Sequence, residues 1–469
     1  MPRRILILVV LTAAVGVASG VGGNLVSVGL PDLPATPRVR PDILLVTIDA
    51  LRADHLSSYG YERLTSTAID DFARAAVRFD NAIAQAPYTK ASVASIMTGL
   101  YPSSHKTVTA SVPFPETMTG HPTTAAIVTD ILPAAVTTLA EGLHDAGYRT
   151  LGYTANPFLS EPFGFAQGFD LFRFYPGPDF AGAGRLVADA LDAVHLVKPA
   201  VPVFVWVHLM EPHSPYVPPP WTVGRFEATM GAPQPIADQI PIPAWLLPGT
   251  PRDRRLYVAA YDDEIAAADI AFDTLLRGFC DGRSERAHAI VLTADHGEEF
   301  LDHGGWEHGS NLHDELIRVP LVIRAPMLRP GVIHAQVQLI DIFPTLLEVA
   351  GGHVPPTAGH SLLDMARGAS ASSPALSEIV GSQYALRDHG LKLIDFDDGR
   401  VQLFDLGRDP FEHRDIATGN PAQVRRMRGV LNRMLQQALV RGRPIHNERV
   451  PVDPVVTERL RSLGYVAQH

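Results

Sequence analysis

A chain of 469 residues, 46% apolar and 19% charged, is long enough to bury a large core and to hold two domains. Its formal net charge of -11 and isoelectric point near 5.9 argue against a general nucleic-acid-binding role, so no nucleic-acid partner is expected. The single cysteine, Cys280, excludes an internal disulfide and a metal cage built from thiolates.

The chain opens with "MPRRILILVVLTAAVGVASGVGG", where Arg3 and Arg4 precede a stretch without charge that lasts until Asp32. Residues 1–30 read as a signal peptide or a membrane anchor, with the basic pair left inside. Ala18, Ser19 and Gly20 suit cleavage, while the apolar length suits a retained span. Either way the body of the protein is expected outside the cytoplasm, exported to the periplasm or medium or tethered to the membrane. Residues 31–40, rich in proline, read as a linker.

"DILLVTIDA" then supplies an apolar run from Ile43 to Ile48, which suits a strand buried on both faces of a parallel sheet. In "PYTKASVASIMTGLYPSSHK" the apolar stretch after Thr89 reads as a helix beginning near Lys90 and ended by Gly99. "TTLAEGLHDAG" reads as a helix ending at Gly147, and "YVAAYDDEIAAADIAFDTLLRGF" as another. "VPVFVWVHLM" at 201–210 and "AHAIVLTADHG" at 287–297 repeat the first pattern, an apolar run followed at once by polar side chains. Apolar runs alternating with helices argue an α/β fold with a large, mostly parallel sheet flanked by helices. In such sheets the residues beyond the carboxyl ends of the strands collect at one crevice, and Asp49, His208, Asp295 and His296 hold such positions.

Composition shifts near residues 364–380. "LKLIDFDDG" and "VQLFDLGRDPFE" read as short strands of an antiparallel sheet, and "PAQVRRMRGVLNRMLQQALVRG" as a helix with Val424, Met427, Val430, Leu431, Met434 and Leu435 on or near one face. The expected division is a catalytic domain over 41–365 and a small C-terminal α+β domain over 366–469.

Several residues could carry chemistry. Asp49 is followed by "LRADH", which adds Arg52, Asp54 and His55. Asp295 and His296 are adjacent oxygen and nitrogen donors, and Gly297 lets the backbone depart tightly. Each also fits a blander role: a solvent-facing carboxylate at a strand end, or a turn capped by aspartate. Thr89 stands at the start of its helix, where a hydroxyl can cap an exposed N–H or meet an oxyanion held by those N–H groups. The residues alone leave these alternatives open.

"ILLVTIDALRADHLSSYGY", "TGLYPSSH", "HLMEPHSPY", "TADHGEEFLDHGGWEHG", "LHDELIRVPLVIRAP", "LIDIFPTLLEVAG", "LFDLGRDPFE" and "ERLRSLGYV" resemble, in order and spacing, the signatures of the sulfatase family. That family belongs to the alkaline-phosphatase-like superfamily of metal-dependent phosphate and sulfate ester enzymes. The resemblance covers about residues 41–466 and implies a metal-dependent ester hydrolase or transferase. It assigns Asp49, Asp295 and His296 as metal ligands and places His213 where the family has a histidine that contacts the ester. His303 falls in a segment bordering the site, and His308 falls where many sulfatases carry a lysine that contacts the sulfate. His208 is a weaker candidate: an outer support of the site, or a histidine satisfied at a strand end.

The departures shape the expectation. The family's Cys/Ser-x-Pro-x-Arg pattern, whose first residue becomes formylglycine, falls on Thr89, Ala91 and Val93, and threonine cannot yield that aldehyde. The usual Asp-Asp pair is Asp49-Ala50. The remaining set, Asp49, Thr89, Asp295 and His296, resembles single-metal relatives that use threonine on phosphoesters. Oxygen and imidazole donors together favour one Zn²⁺ or Mn²⁺ over Ca²⁺. Three functions follow: a phosphate-ester enzyme with Thr89 as nucleophile, a sulfuric ester hydrolase without formylglycine, or a catalytically weak sulfatase-like binding protein. The expected substrate is an anionic ester of a small molecule, a lipid-linked group or a glycan.

Overall fold

The computed structural model describes residues 40–108, 112–113, 127–175, 182–243, 246, 249–368, 372–446, 448–454 and 456–457. The expected signal or anchor at 1–30, most of the linker and the final "ERLRSLGYV" lie outside the described residues. Among those residues no helix is long and apolar enough to cross a membrane. The described residues form one compact unit.

Its centre is an eight-stranded sheet built from β1 (Asp42–Ile48), β2 (Val77–Ile83), β3 (Arg149–Thr154), β4 (Leu171–Phe174), β5 (Val203–Leu209), β6 (His288–Ala294), β7 (Arg318–Arg324) and β8 (Gly331–Gln338). The strand order is β8-β2-β7-β6-β1-β5-β3-β4. All neighbours are parallel except β7, which runs against both β6 and β2. The expected mostly parallel sheet is therefore present, with one reversed strand. β1 and β5 are buried along their whole length because helices cover both faces, which is why they read as unbroken apolar runs.

The helices expected after Thr89, within 137–147 and within 257–279 are present, and the one over Ala183–Leu196 is additional to those expected. α1 spans Thr89–Thr98, α2 Leu139–Asp145, α3 Ala183–Leu196 and α4 Arg254–Gly282. α2 starts at a capping box in which the Thr138 hydroxyl accepts from the Glu141 N–H and the Glu141 carboxylate accepts from the Thr138 N–H. α1 ends at Gly99, whose φ of 66° is left-handed. A Cβ there would also sit 2.2 Å from Thr357 Oγ1.

Four antiparallel strands follow in order: β9 (Ala375–Ile379), β10 (Gln383–Asp388), β11 (Leu391–Phe396) and β12 (Val401–Asp405). α5 (Pro421–Gly442) covers them, burying Val424, Met427 and Leu431 against Leu386, Leu393 and Leu403. Val430, Met434 and Leu435 are half-buried beside them, so the expected apolar face is the one used.

Candidate active site

The order of the three central strands assembles the site. β1 lies between β5 and β6, with Ile48 in register with Leu209 on one side and Ala294 on the other. Asp49, just past β1, is therefore flanked by the ends of β5 and β6, and Asp295 and His296 leave β6 beside it. Ala50 takes a left-handed φ of 56°, which turns the chain sharply after Asp49. That conformation is held from three sides. Ala50 N–H donates to Asp295 Oδ1 at 3.2 Å, Tyr261 Oη donates to Ala50 O at 2.7 Å, and Arg52 N–H donates to Tyr261 Oη at 2.9 Å.

Thr89 is the first residue of α1, and the cap position belongs to Tyr88. Its hydroxyl does not serve the helix end. It lies 3.2 Å from His296 Nε2, 3.4 Å from Asp49 Oδ1 and 3.5 Å from Asn156 Nδ2. The Ser92 hydroxyl, one turn along, donates to Asp295 O at 2.5 Å and pins α1 to the end of β6. The N–H groups of the first helical turn thus open towards the same polar cluster.

The hydrogen bonds fix the histidine tautomers. His296 Nδ1–H donates to Gly297 O at 2.8 Å, so Nε2 carries the lone pair that faces Thr89, Asp49 and Asp295. Burial and the neighbouring His308 hold the His296 imidazole well below its ordinary pKa, which keeps it neutral. At β5, Trp206 Nε1–H donates to Thr47 Oγ1 at 3.0 Å, the Thr47 hydroxyl donates to His208 Nδ1 at 2.8 Å, and His208 Nε2–H donates to Asp49 Oδ2 at 3.1 Å. This buried relay holds the His208 ring against Asp49. Asn156 Nδ2 donates to the same carboxylate oxygen at 2.7 Å.

The electrostatics fit a cation. Burial alone would raise Asp49, but His213, His208 and His296 outweigh it and hold its carboxyl below the usual carboxylate range. Asp295 moves the other way, pushed well up by burial and by the charge of Asp49. Asp295 Oδ2 is buried and has no hydrogen-bond donor. His296 Nε2 stands 3.5 Å from Asp49 Oδ1 and 3.6 Å from Asp295 Oδ2, and Asp49, His208 and Asp295 each offer an atom within 4.8 Å of the others. Two carboxylates and an unprotonated imidazole nitrogen converging in a buried place form a donor set that fits one divalent cation.

His308 lies on the outer side. Its ring centroid is 4.3 Å from His296 and 4.9 Å from His213. Burial alone would lower His308, but the Glu298 carboxylate, 3.1 Å from Nδ1, prevails and raises it, favouring the imidazolium. His213 Nδ1–H donates to Ser214 O. His303 is placed elsewhere. Its ring stacks on His313 at 3.5 Å and bonds Glu315 at 2.7 Å, across a separate cleft that also contains Arg52, Arg63 and His413. The structure thus brings together Asp49, Thr89, His213, Asp295, His296 and His308, and sets His303 apart.

Sequence reasoning missed three neighbours of this group. Asn156 follows β3 by two residues, and the apolar-run-then-polar pattern used for the other strands could have found it. Glu298, two residues after His296, holds His308. Lys90 is buried beside Thr89, with Nζ against Thr129 Oγ1 and 5.0 Å from the Phe163 ring centroid. Burial pushes Lys90 down to about 7, with Asp130 opposing.

The sheet, the switchback after β1 and the clustered carboxylates define an α/β protein of the alkaline-phosphatase-like class. Residues 41–352 match the family profile "Sulfatase", and the chain belongs to the sulfatase family. Residues 297–440 also match the C-terminal region of N-sulphoglucosamine sulphohydrolase. The chain is 35% identical to mouse (Mus musculus) arylsulfatase K over 151 residues, which is 28% of this chain and 27% of that protein. It is 23% identical to Delta 4,5-hexuronate-2-O-sulfatase of Bacteroides thetaiotaomicron over 82% of this chain and 86% of that one. Among solved structures, the phosphonate monoester hydrolase of Agrobacterium radiobacter superposes with a TM-score of 0.68 at 20% identity, covering 85% of this chain and 96% of the other.

Proposed function

We propose that this chain is a metal-dependent hydrolase of phosphate esters in which Thr89 is the nucleophile. The observation that carries the reading is the Thr89 hydroxyl, buried at the start of α1 and turned to His296 and Asp49 instead of to the helix end. Asp49, Asp295, His296 and Thr89 would hold the cation, which would lower the hydroxyl pKa and draw charge from the ester oxygens. The Thr89 hydroxyl gives up its proton to solvent before attack. Its oxygen then bonds to phosphorus as the bond to the alcohol oxygen breaks. His308, kept protonated by Glu298, gives the departing oxygen its proton. Water next attacks the phosphothreonine, His308 takes the water's proton, and the Thr89 oxygen–phosphorus bond breaks to release phosphate. First-turn N–H groups of α1 favour the oxyanion throughout.

Unmodified threonine favours phosphate over sulfate in this scheme, since a formylglycine adduct can collapse from its own hydroxyl and a threonine ester cannot. The family matches favour sulfuric ester hydrolysis, which is the second reading. Rapid quench with 4-nitrophenyl phosphate, followed by intact-protein mass measurement and peptide mapping, tests the first. A phosphoryl group on Thr89 is expected. Turnover of 4-nitrophenyl sulfate with none of the phosphate would establish the second, and turnover of neither would leave the binding-protein reading.

The catalytic body is proposed to work outside the cytoplasm, on the strength of Arg3, Arg4 and the uncharged stretch behind them. Fractionation of the native cells tests this; full-length protein confined to the cytoplasm would overturn it.

A further inference from the structure

Beside the polar cluster lies a cavity of about 690 Å³ between α3, α4 and the segment that follows β5. It meets the reaction site at His213, which lines its wall and faces His308. Val187, Met210, Pro215, Pro219, Trp221 and Ile270 are among its lining residues. Its mouth concentrates exposed apolar side chains: Val217 is 71% exposed, Trp221 73% and Ile270 48%. Large apolar groups left in water around one concavity are what an apolar ligand covers.

The polar side chains of this cavity are few and committed. Glu264 Oε1 accepts from Val217 N–H at 2.6 Å, and Glu211 Oε1 accepts from Ala183 N–H at 3.2 Å. Both carboxyls are pushed up by burial. The guanidinium of Arg185 lies over the Tyr175 ring at 5.8 Å. A sulfated or uronate-bearing glycan needs several cations and a dense set of hydroxyl partners. This wall offers one arginine, one histidine, one threonine and two carboxyls raised by burial, fewer cations than such a chain needs.

We infer that this cavity receives the alcohol half of the ester as an apolar group, a long aliphatic chain or a fused-ring alcohol, and so sets the substrate class. The inference rests on the ester-hydrolase reading of the adjoining site. Burying a chain of several methylenes is enough to separate it from a sugar or a methyl group.

The test uses the full-length, metal-loaded protein and phosphate and sulfate monoesters that differ only in the alcohol: methyl, n-octyl, a sterol and N-acetylglucosamine. The n-octyl or sterol ester should exceed the methyl and sugar esters in kcat/KM by at least about tenfold. Ile270→Asp, an exposed position on α4, should lower kcat/KM for the apolar esters about tenfold relative to the methyl ester. Independently of turnover, 1-octanol should change Trp221 fluorescence saturably, with the signal absent in Trp221→Phe and weakened in Ile270→Asp. Octanol binding without any ester turnover would sink the hydrolase reading and keep the cavity assignment. Turnover with a preference for the sugar ester, or an Ile270→Asp effect equal across all alcohols, would overturn the cavity assignment and leave the hydrolase reading standing.

Discussion

His296 presents its unprotonated Nε2 to Thr89 Oγ1 at 3.2 Å because its other nitrogen is spent on Gly297 O. The same nitrogen faces both carboxylates, so one ring orientation serves the hydroxyl and a cation together. His296→Ala should therefore strip metal: elemental analysis should fall from one Zn²⁺ or Mn²⁺ per chain to a small fraction, with the circular dichroism spectrum unchanged. Unchanged stoichiometry would remove His296 from the ligand set, and calcium in the native protein would overturn the metal preference.

His208 Nε2–H donates to Asp49 Oδ2 at 3.1 Å, as a support for that carboxylate would. Replacing a partner that orients a metal-bound carboxylate typically weakens metal affinity about 10–100-fold. His208→Ala should show that loss by isothermal titration with Zn²⁺. His208→Gln should recover part of it, because an amide N–H can still donate to Asp49 Oδ2. Thr47→Val breaks the relay one step back and should weaken affinity less. Equal losses in Ala and Gln variants would instead mark His208 as a direct ligand.

The site was legible where a strand's apolar run breaks into polar residues, as at Asp49 and Asp295-His296. The convergence was not, because strand order is a non-local property: nothing in "DILLVTIDA" says that β1 lies between β5 and β6. Asn156 was within reach of the same pattern, since it follows β3 by two residues, and its side chain also accepts from Phe158 N–H at 2.9 Å. Lys90 reads in isolation as a solvent-facing helix residue. It is buried because Phe158, Phe163 and Thr129, all distant in sequence, close over it. His303 shares a motif with His308 yet faces another cleft, since it sits in the loop 301–305 that reverses the chain and pairs Trp306 with Phe300. The small C-terminal sheet and α5 were readable because their order in space follows their order in sequence.

Gly297 is required for close approach. A Cβ at this position would lie 1.9 Å from Glu315 O and 3.3 Å from Arg52 Cγ. The Gly297 carbonyl is also what fixes the His296 tautomer. Gly297→Ala should destabilise the fold by about 1–3 kcal/mol and displace His296. Thermal unfolding should show a lower Tm together with weakened metal binding. A lower Tm with unchanged metal affinity would show that the loop absorbs the extra methyl elsewhere.

Glu378 on β9 gives a pH prediction with a definite sign. Its carboxylate accepts from Ser103 N–H at 3.2 Å and from the Ser103 hydroxyl at 3.1 Å, joining the short helix Pro102–His105 after α1 to the C-terminal sheet. Burial pushes this carboxyl from 4.5 up to about 7, and the Ser103 bonds only partly oppose the shift. Because the folded state holds the proton more tightly than the unfolded chain, stability from this group is complete below pH 4.5 and declines as pH rises towards about 7. The full shift corresponds to an upper bound of about 3 kcal/mol. Glu378→Gln removes that dependence but weakens one bond to Ser103, at about 0.5–1.5 kcal/mol. The variant should thus be slightly less stable than the parent near pH ~5 and more stable near pH ~8. Urea midpoints at the two pH values measure the crossing. Parallel curves for parent and variant would mean that Glu378 is ionised in the fold at neutral pH, with its charge held by the Ser103 donors.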